Sequence, residues 1–162
     1  SGASGEVLGN LSPTFMTVAM GKMSKSAHEA IDLGFGKAGD TILFNARELL
    51  FVALKEARLL ADAGYVPPVP ARGVPVAGRT GIASMEMTLV NMREGGMISA
   101  HDYRVSRAVA VALCGGEVAY GSLVDEAWLL AVERRQFLEL LKTPETQARI
   151  KHMLDTGKPL RN

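Results

Sequence analysis

Between Ser122 and Pro159 the chain reads SLVDEAWLLAVERRQFLELLKTPETQARIKHMLDTGKP, and this stretch limits the possible folds more than any other. Leu123, Ala127, Leu130, Phe137 and Leu141 recur at steps of three, four or seven, while Val124, Trp128, Ala131 and Leu138 fill the neighbouring line. That spacing predicts a helix whose apolar stripe is wide enough to bury. Glu133, Arg134 and Arg135 stay mostly outside the stripe. The helix is expected to stop near Thr143, because proline suits the first turn of a new helix better than the interior of an old one. Thr143 then serves as N-cap and Pro144 as the first residue of a second helix. Gly157 ends that helix, with Pro159 just beyond. A hairpin of this shape needs a surface to pack against.

Capping signals organise the rest of the chain. The Gly- and Ser-rich residues 1–11 read as a flexible start or a cloning scar, and residues 12–162 as a single helical domain. Ser12 and Pro13 look like an N-cap and first helical residue, opening a short helix that ends near Met23. Ser26 and Glu29 form a capping box for a second short helix closed at Gly34. Thr41 to Phe44 is an extended segment. Asn45 and Glu48 then open a long helix in which Leu49, Leu50, Ala53, Leu54, Ala57, Leu60 and Ala61 make a buried face, ended by Gly64. Residues 65–75 hold four prolines, which forbid a helix interior and make a stiff spacer. A mostly apolar helix follows from about Thr80 to Glu94, stopped by Gly95-Gly96. Ser99 and Asp102 open another, whose end from Ala108 to Leu113 is small and apolar and therefore buried, inside the fold or at a subunit contact. The expected class is mainly α, with six or seven helices and at most a short strand.

Charge and hydropathy exclude several roles. With 18 basic and 17 acidic side chains interspersed, the net charge of +1 leaves no electrostatic footprint for nucleic acid. The longest apolar run, Ala108 to Cys114, is far shorter than the ~20 residues that span a bilayer. No basic-then-apolar start marks a secretion signal, so a cytoplasmic protein is expected. The lone Cys114 has no partner for an internal disulfide and reads as a buried, inert thiol.

The side chains that carry chemistry each meet a simpler explanation. His28, His101 and His152 are tens of residues apart and form no metal-ligand spacing. Asp102, beside His101, already has a capping role. Gly73, Gly78 and Gly81, or Gly95 and Gly96, match no phosphate-loop pattern and read as turns and helix stops. Met85, Met87 and Met92 suit either an acyl pocket or ordinary core, with core favoured. Asp125, Glu126 and Glu133 present no acid/base pair and are read as a solvated helix face. On these grounds no residue is assigned as catalytic or metal-binding.

Residues 20–35, MGKMSKSAHEAIDLGF, resemble the crotonase-family segment of a TG, a capped SAxEA helix and GLV, with Met20 where Thr is usual and Phe35 where Leu is usual. ERRQFLELLKTPETQARIKHMLDTGKPL resembles that family's closing pattern: an ExxxF helix, a TPD-like turn and an AFxEKRKP-like helix. MREGGMISAHDYRVSRAVAVALCGGE and HMLDTGKPLRN are similar to the C-terminal end of the multifunctional 3-hydroxyacyl-CoA dehydrogenase/enoyl-CoA hydratases of bacterial fatty-acid β-oxidation. The resemblance spans 12–162 and implies the helical C-terminal portion of a crotonase-like fold. It implies a parent enzyme that uses NAD and an acyl-CoA substrate, with oxyanion hole, water-activating carboxylates and NAD loop all upstream of this segment. The partners implied are the upstream domains of the parent chain and further copies in a homo-oligomer. Lys158 matches the second lysine of the KRKP-like motif, implying a CoA contact, although Thr156 and Gly157 replace the first two basic positions and Met153 the phenylalanine. The competing expectation is a self-contained helical interaction or oligomerisation module that shares this ending.

Overall fold

Short polar side chains at helix starts fix where the chain turns. In this computed structural model, which describes residues 3–162, Ser99 Oγ accepts from the backbone of Asp102 at 3.0 Å while Ser99 N donates to Asp102 Oδ2 at 3.1 Å. This reciprocal pair is the expected capping box. Thr143 Oγ1 accepts from Thr146 N at 3.3 Å, and Pro144 takes the first helical position. Among the described residues there are seven α-helices and one two-stranded sheet: α1 (Ala3–Ala19), α2 (Ala27–Asp32), α3 (Leu49–Asp62), β1 (Val74–Pro75), α4 (Gly78–Glu94), α5 (Ala100–Leu113), β2 (Leu123–Val124), α6 (Glu126–Leu141) and α7 (Pro144–Thr156). The class is mainly α, as the periodicity predicts.

The chain separates into two compact units: residues up to Lys22 with Ala71–Asn162, and Met23–Pro70. In the first, Phe15 of α1, Ile82, Met85 and Leu89 of α4, Ala110 and Val111 of α5, Cys114 and Val132 of α6 form one buried cluster. β1 and β2 pair antiparallel, Val74 opposite Val124 and Pro75 opposite Leu123. Val76 N donates to Ser122 O and Gly121 N to Val76 O, extending the ladder and carrying the chain into α4. There Gly78, at φ +52°, donates to Cys114 O, and Arg79 N donates to Val118 O. A Cβ on Gly78 would lie 2.2 Å from Val118 O, so the close approach of these two turns requires glycine.

Three helix starts and one capping contact differ from the sequence expectation. The helix expected to begin at Ser12 and Pro13 runs from Ala3 to Ala19 with Pro13 inside, and takes in the described part of the flexible start. Pro13 removes one helical hydrogen bond and frees the carbonyl of Gly9, but Gly9, Ser12 and Pro13 lie on an exposed side where water replaces the bond. The stripe expected to begin α6 at Leu123 begins instead at Glu126; Leu123 and Val124 are the strand β2, and Asp125, read as solvated, is the N-cap, accepting from Trp128 N at 2.8 Å. In the second unit, Ser26 accepts from Glu29 N as expected, but Glu29 reaches back to Lys25 N rather than to the cap. Asn45 caps a single 3-10 turn, Ala46–Glu48, and its amide bonds the Glu48 side chain, so α3 itself starts at Leu49.

The largest difference concerns α3. Its apolar residues were expected to be buried, yet none is: Leu50 is 71% exposed and Leu54 62%. Polar contacts within the unit include Thr41 donating to Glu56, across fifteen positions, and Arg58 pairing with Asp62.

Candidate functional site

The caps of α5 and α7 bring the polar groups of the first unit together. With Ser99 and Thr143 fixing the two starts, the first turns of α5 and α7 lie side by side. His101 Nε2 sits 3.0 Å from Thr146 Oγ1, and Arg149 Nη2 donates to Asp102 Oδ1 at 2.8 Å. Asn162 joins them: its side-chain oxygen accepts from Arg149 Nε at 2.7 Å, its backbone oxygen from Ser99 Oγ at 2.7 Å, and its amide donates to Glu145 O at 3.2 Å. His101 is buried; loss of hydration, with the positive field of Arg149 next, lowers its pKa below the ordinary imidazole value. Burial raises the pKa of Asp102, but backbone and side-chain hydrogen bonds from Ser99 and the guanidinium of Arg149 outweigh it, so the carboxyl titrates below its usual range. The arrangement locks α5, α7 and the tail.

Thr146 and Arg149 also close one end of an apolar groove of about 710 Å³ along α5 and α6. Small side chains on α5, Ala108, Val109 and Ala112, leave the space, and Leu130, Phe137 and Leu140 of α6 line it. Glu126 and Glu133, two turns apart, stand in the same groove. Sequence reasoning set them aside as solvated charge; their spacing of seven on one helix was the signal that they share a face. A second cavity, of about 650 Å³, lies between Arg72, Ser122, Leu123 and Trp128.

No group of three His, Cys, Asp or Glu among the described residues is placed to hold a metal. His28 lies on α2 in the second unit, His101 is taken by Thr146, and His152 is on α7. Met85 is core, with its sulfur 3.9 Å from Cys114 Sγ, whereas Met87 is 66% exposed, and neither lines the groove or the second cavity. Burial pushes the Cys114 thiol up to about 11, which keeps it protonated and unreactive. Lys158 is exposed beyond the end of α7, its backbone N bonded to Thr156 Oγ1 at 3.2 Å, and its side chain lines neither cavity. No helix among the described residues is long and apolar enough to cross a membrane.

Comparison with known proteins places this geometry in context. No family model matches the chain, and no solved structure matches it. Over 149 residues, 92% of its length, the chain is 43% identical to a probable 3-hydroxyacyl-CoA dehydrogenase of Bacillus subtilis (strain 168). The aligned part is 19% of that protein, so the chain spans about a fifth of the length of the curated relative it matches.

Proposed function

We propose that this chain is the C-terminal segment of a cytoplasmic fatty-acid β-oxidation enzyme, a 3-hydroxyacyl-CoA dehydrogenase joined to an enoyl-CoA hydratase, and that it supplies scaffold, acyl-pocket cover and subunit contacts. The observation that carries the reading is the 43% identity to about a fifth of a much longer probable dehydrogenase. A segment that covers other layers is expected to keep an apolar face open by itself, and α3 does so: Leu50 is 71% exposed and Leu54 62%.

The parent chemistry is addition of water across a 2-enoyl thioester, whose enolate is held by backbone donors, followed by NAD-dependent oxidation of the hydroxyl. The residues of this chain do not fit NAD. A dinucleotide loop needs free backbone amides at the start of the helix that follows the strand, and here the first amides of α4, Gly78 N and Arg79 N, already donate to Cys114 O and Val118 O. In this reading CoA is met through Lys158, whose exposed ammonium beyond α7 is the group assigned to a phosphate of the nucleotide. Within this reading the groove along α5 and α6 excludes water from an apolar surface, and the lock of Arg149, Asp102 and Asn162 holds its end in shape.

Incubating the purified chain with crotonyl-CoA, and separately with a 3-hydroxyacyl-CoA and NAD, tests the division of labour. Absorbance at the thioester and nicotinamide bands is expected to stay at the buffer rate. Turnover above that rate places an active site within these residues and overturns the assignment.

A further inference from the structure

One line of α6 is left open by its own unit. Leu130 and Phe137 are 56% and 55% exposed although they border the groove, and Leu138 is 48% exposed. At about 100° per residue, Leu130, Phe137 and Leu141 stack along this line. Glu126 and Glu133 flank it on the side of α5, where they stand in the groove, and Arg134 and Leu138 flank it on the other side. None of Glu126, Glu133 and Arg134 forms an ion pair with a described residue.

Opposite charges on the two flanks of one apolar line select both partner and orientation. If two such helices meet antiparallel about a twofold axis, each flank faces its own kind, glutamate against glutamate and arginine against arginine. If they meet parallel, the acidic flank of each faces the basic flank of the other. The groove adds a second constraint, because its apolar wall lies on the acidic side, and the flank that enters it in the parallel arrangement carries Leu138 next to Arg134. Like charges brought together at a contact oppose association, whereas opposite charges fix register and orientation.

We propose that α6 is the contact through which a second copy of this chain docks, parallel to the first about a twofold axis along the Leu130–Phe137 line. Glu133 of each copy meets Arg134 of the other, and Leu138 of each enters the other's groove. This gives a place to the subunit contact in the reading above; it is tested by mass and not by turnover, so the two fail separately.

Sedimentation equilibrium of the whole chain is the first measurement. One helix line and one groove wall sit at the small end of specific interfaces, so a dissociation constant on the order of 10 μM is expected. Glu133→Arg or Arg134→Glu alone sets like charges together twice in the dimer and should weaken it by about tenfold or more. The double exchange restores opposite charges and should return the constant to within about threefold of the original. Both side chains point away from the core, and circular dichroism confirms that each variant stays folded. Leu130→Cys should form a disulfide to its own counterpart under mild oxidation, because a parallel twofold sets position 130 beside itself; the native Cys114 is buried and does not compete. A chain that is monomeric at about 200 μM, twentyfold above that constant, leaves the groove to a different segment of a longer chain and overturns the proposal. So does a dimer indifferent to both single reversals, or one in which Leu130→Cys fails to cross-link.

Discussion

Replacing Gly78 by alanine tests whether the approach of α4 to the turn at Cys114–Val118 governs the first unit. The added methyl meets two separate penalties. Holding a non-glycine residue at φ +52° costs roughly 1–2 kcal/mol, and forcing a Cβ to within 2.2 Å of Val118 O and 2.9 Å of Ala119 O adds about 1–3 kcal/mol of overpacking. The sum, about 2–5 kcal/mol, is a large part of the ~5–15 kcal/mol that holds a domain together. In urea, with a slope of about 2 kcal/mol per molar, the midpoint should fall by about 1–2.5 M, and the single tryptophan, Trp128, reports it by fluorescence. Gly121→Ala is the control: at φ +78° it carries the same backbone strain with nothing within 4 Å of its Cβ, so it should lose only about 1–2 kcal/mol. If Gly78→Ala shifts the midpoint by no more than Gly121→Ala does, the turn relaxes freely and the reasoning fails.

Three further outcomes follow from the same contacts. Trp128 Nε1 donates to Gly115 O at 2.9 Å, so Trp128→Phe leaves that carbonyl without its protein partner and should cost about 1–2 kcal/mol in thermal or denaturant unfolding. His101 has a folded-state pKa below its unfolded value, so unfolding takes up a proton: the stability it contributes is complete above the unfolded value near 6.5 and is lost as pH falls below it. Stability should therefore decline between about pH 7 and pH 5, and His101→Gln, which keeps a hydrogen-bonding group toward Thr146, should flatten that decline; an unchanged slope removes His101 as its source. Cys114, with its thiol raised to about 11 by burial, should react with an aromatic disulfide reagent only after global unfolding, so its labelling rate should follow denaturant in step with the unfolding signal.

Local signals were the legible part of the sequence. Ser99 with Asp102, Thr143 with Pro144, and the glycines after α4 and α7 placed helix ends because a cap needs only the residues within one turn of it. Pro13 misled because its penalty depends on whether the freed carbonyl meets water, and exposure is a property of the folded chain. β1 and β2 were illegible because two residues carry no period, and their pairing joins positions about fifty apart. The apolar face of α3 was readable and its burial was not: periodicity says which residues share a face, not whether anything covers it. The same gap hid the groove, since the small residues of α5 looked like core until α6 was seen to leave room beside them. The lock around Arg149 was invisible because it gathers Ser99, Asp102 and Asn162 across more than sixty positions.

Whether these residues complete an enzyme or act alone is measured directly by reconstitution in trans. The parent polypeptide truncated before Ser1 is mixed with this chain, and crotonyl-CoA hydration is followed as the chain is titrated in. The expected result is no hydration by either part, with activity rising to saturation near equimolar addition. A truncated parent that hydrates crotonyl-CoA at its full rate without this chain, or a mixture that stays inactive although the two parts bind, contradicts it.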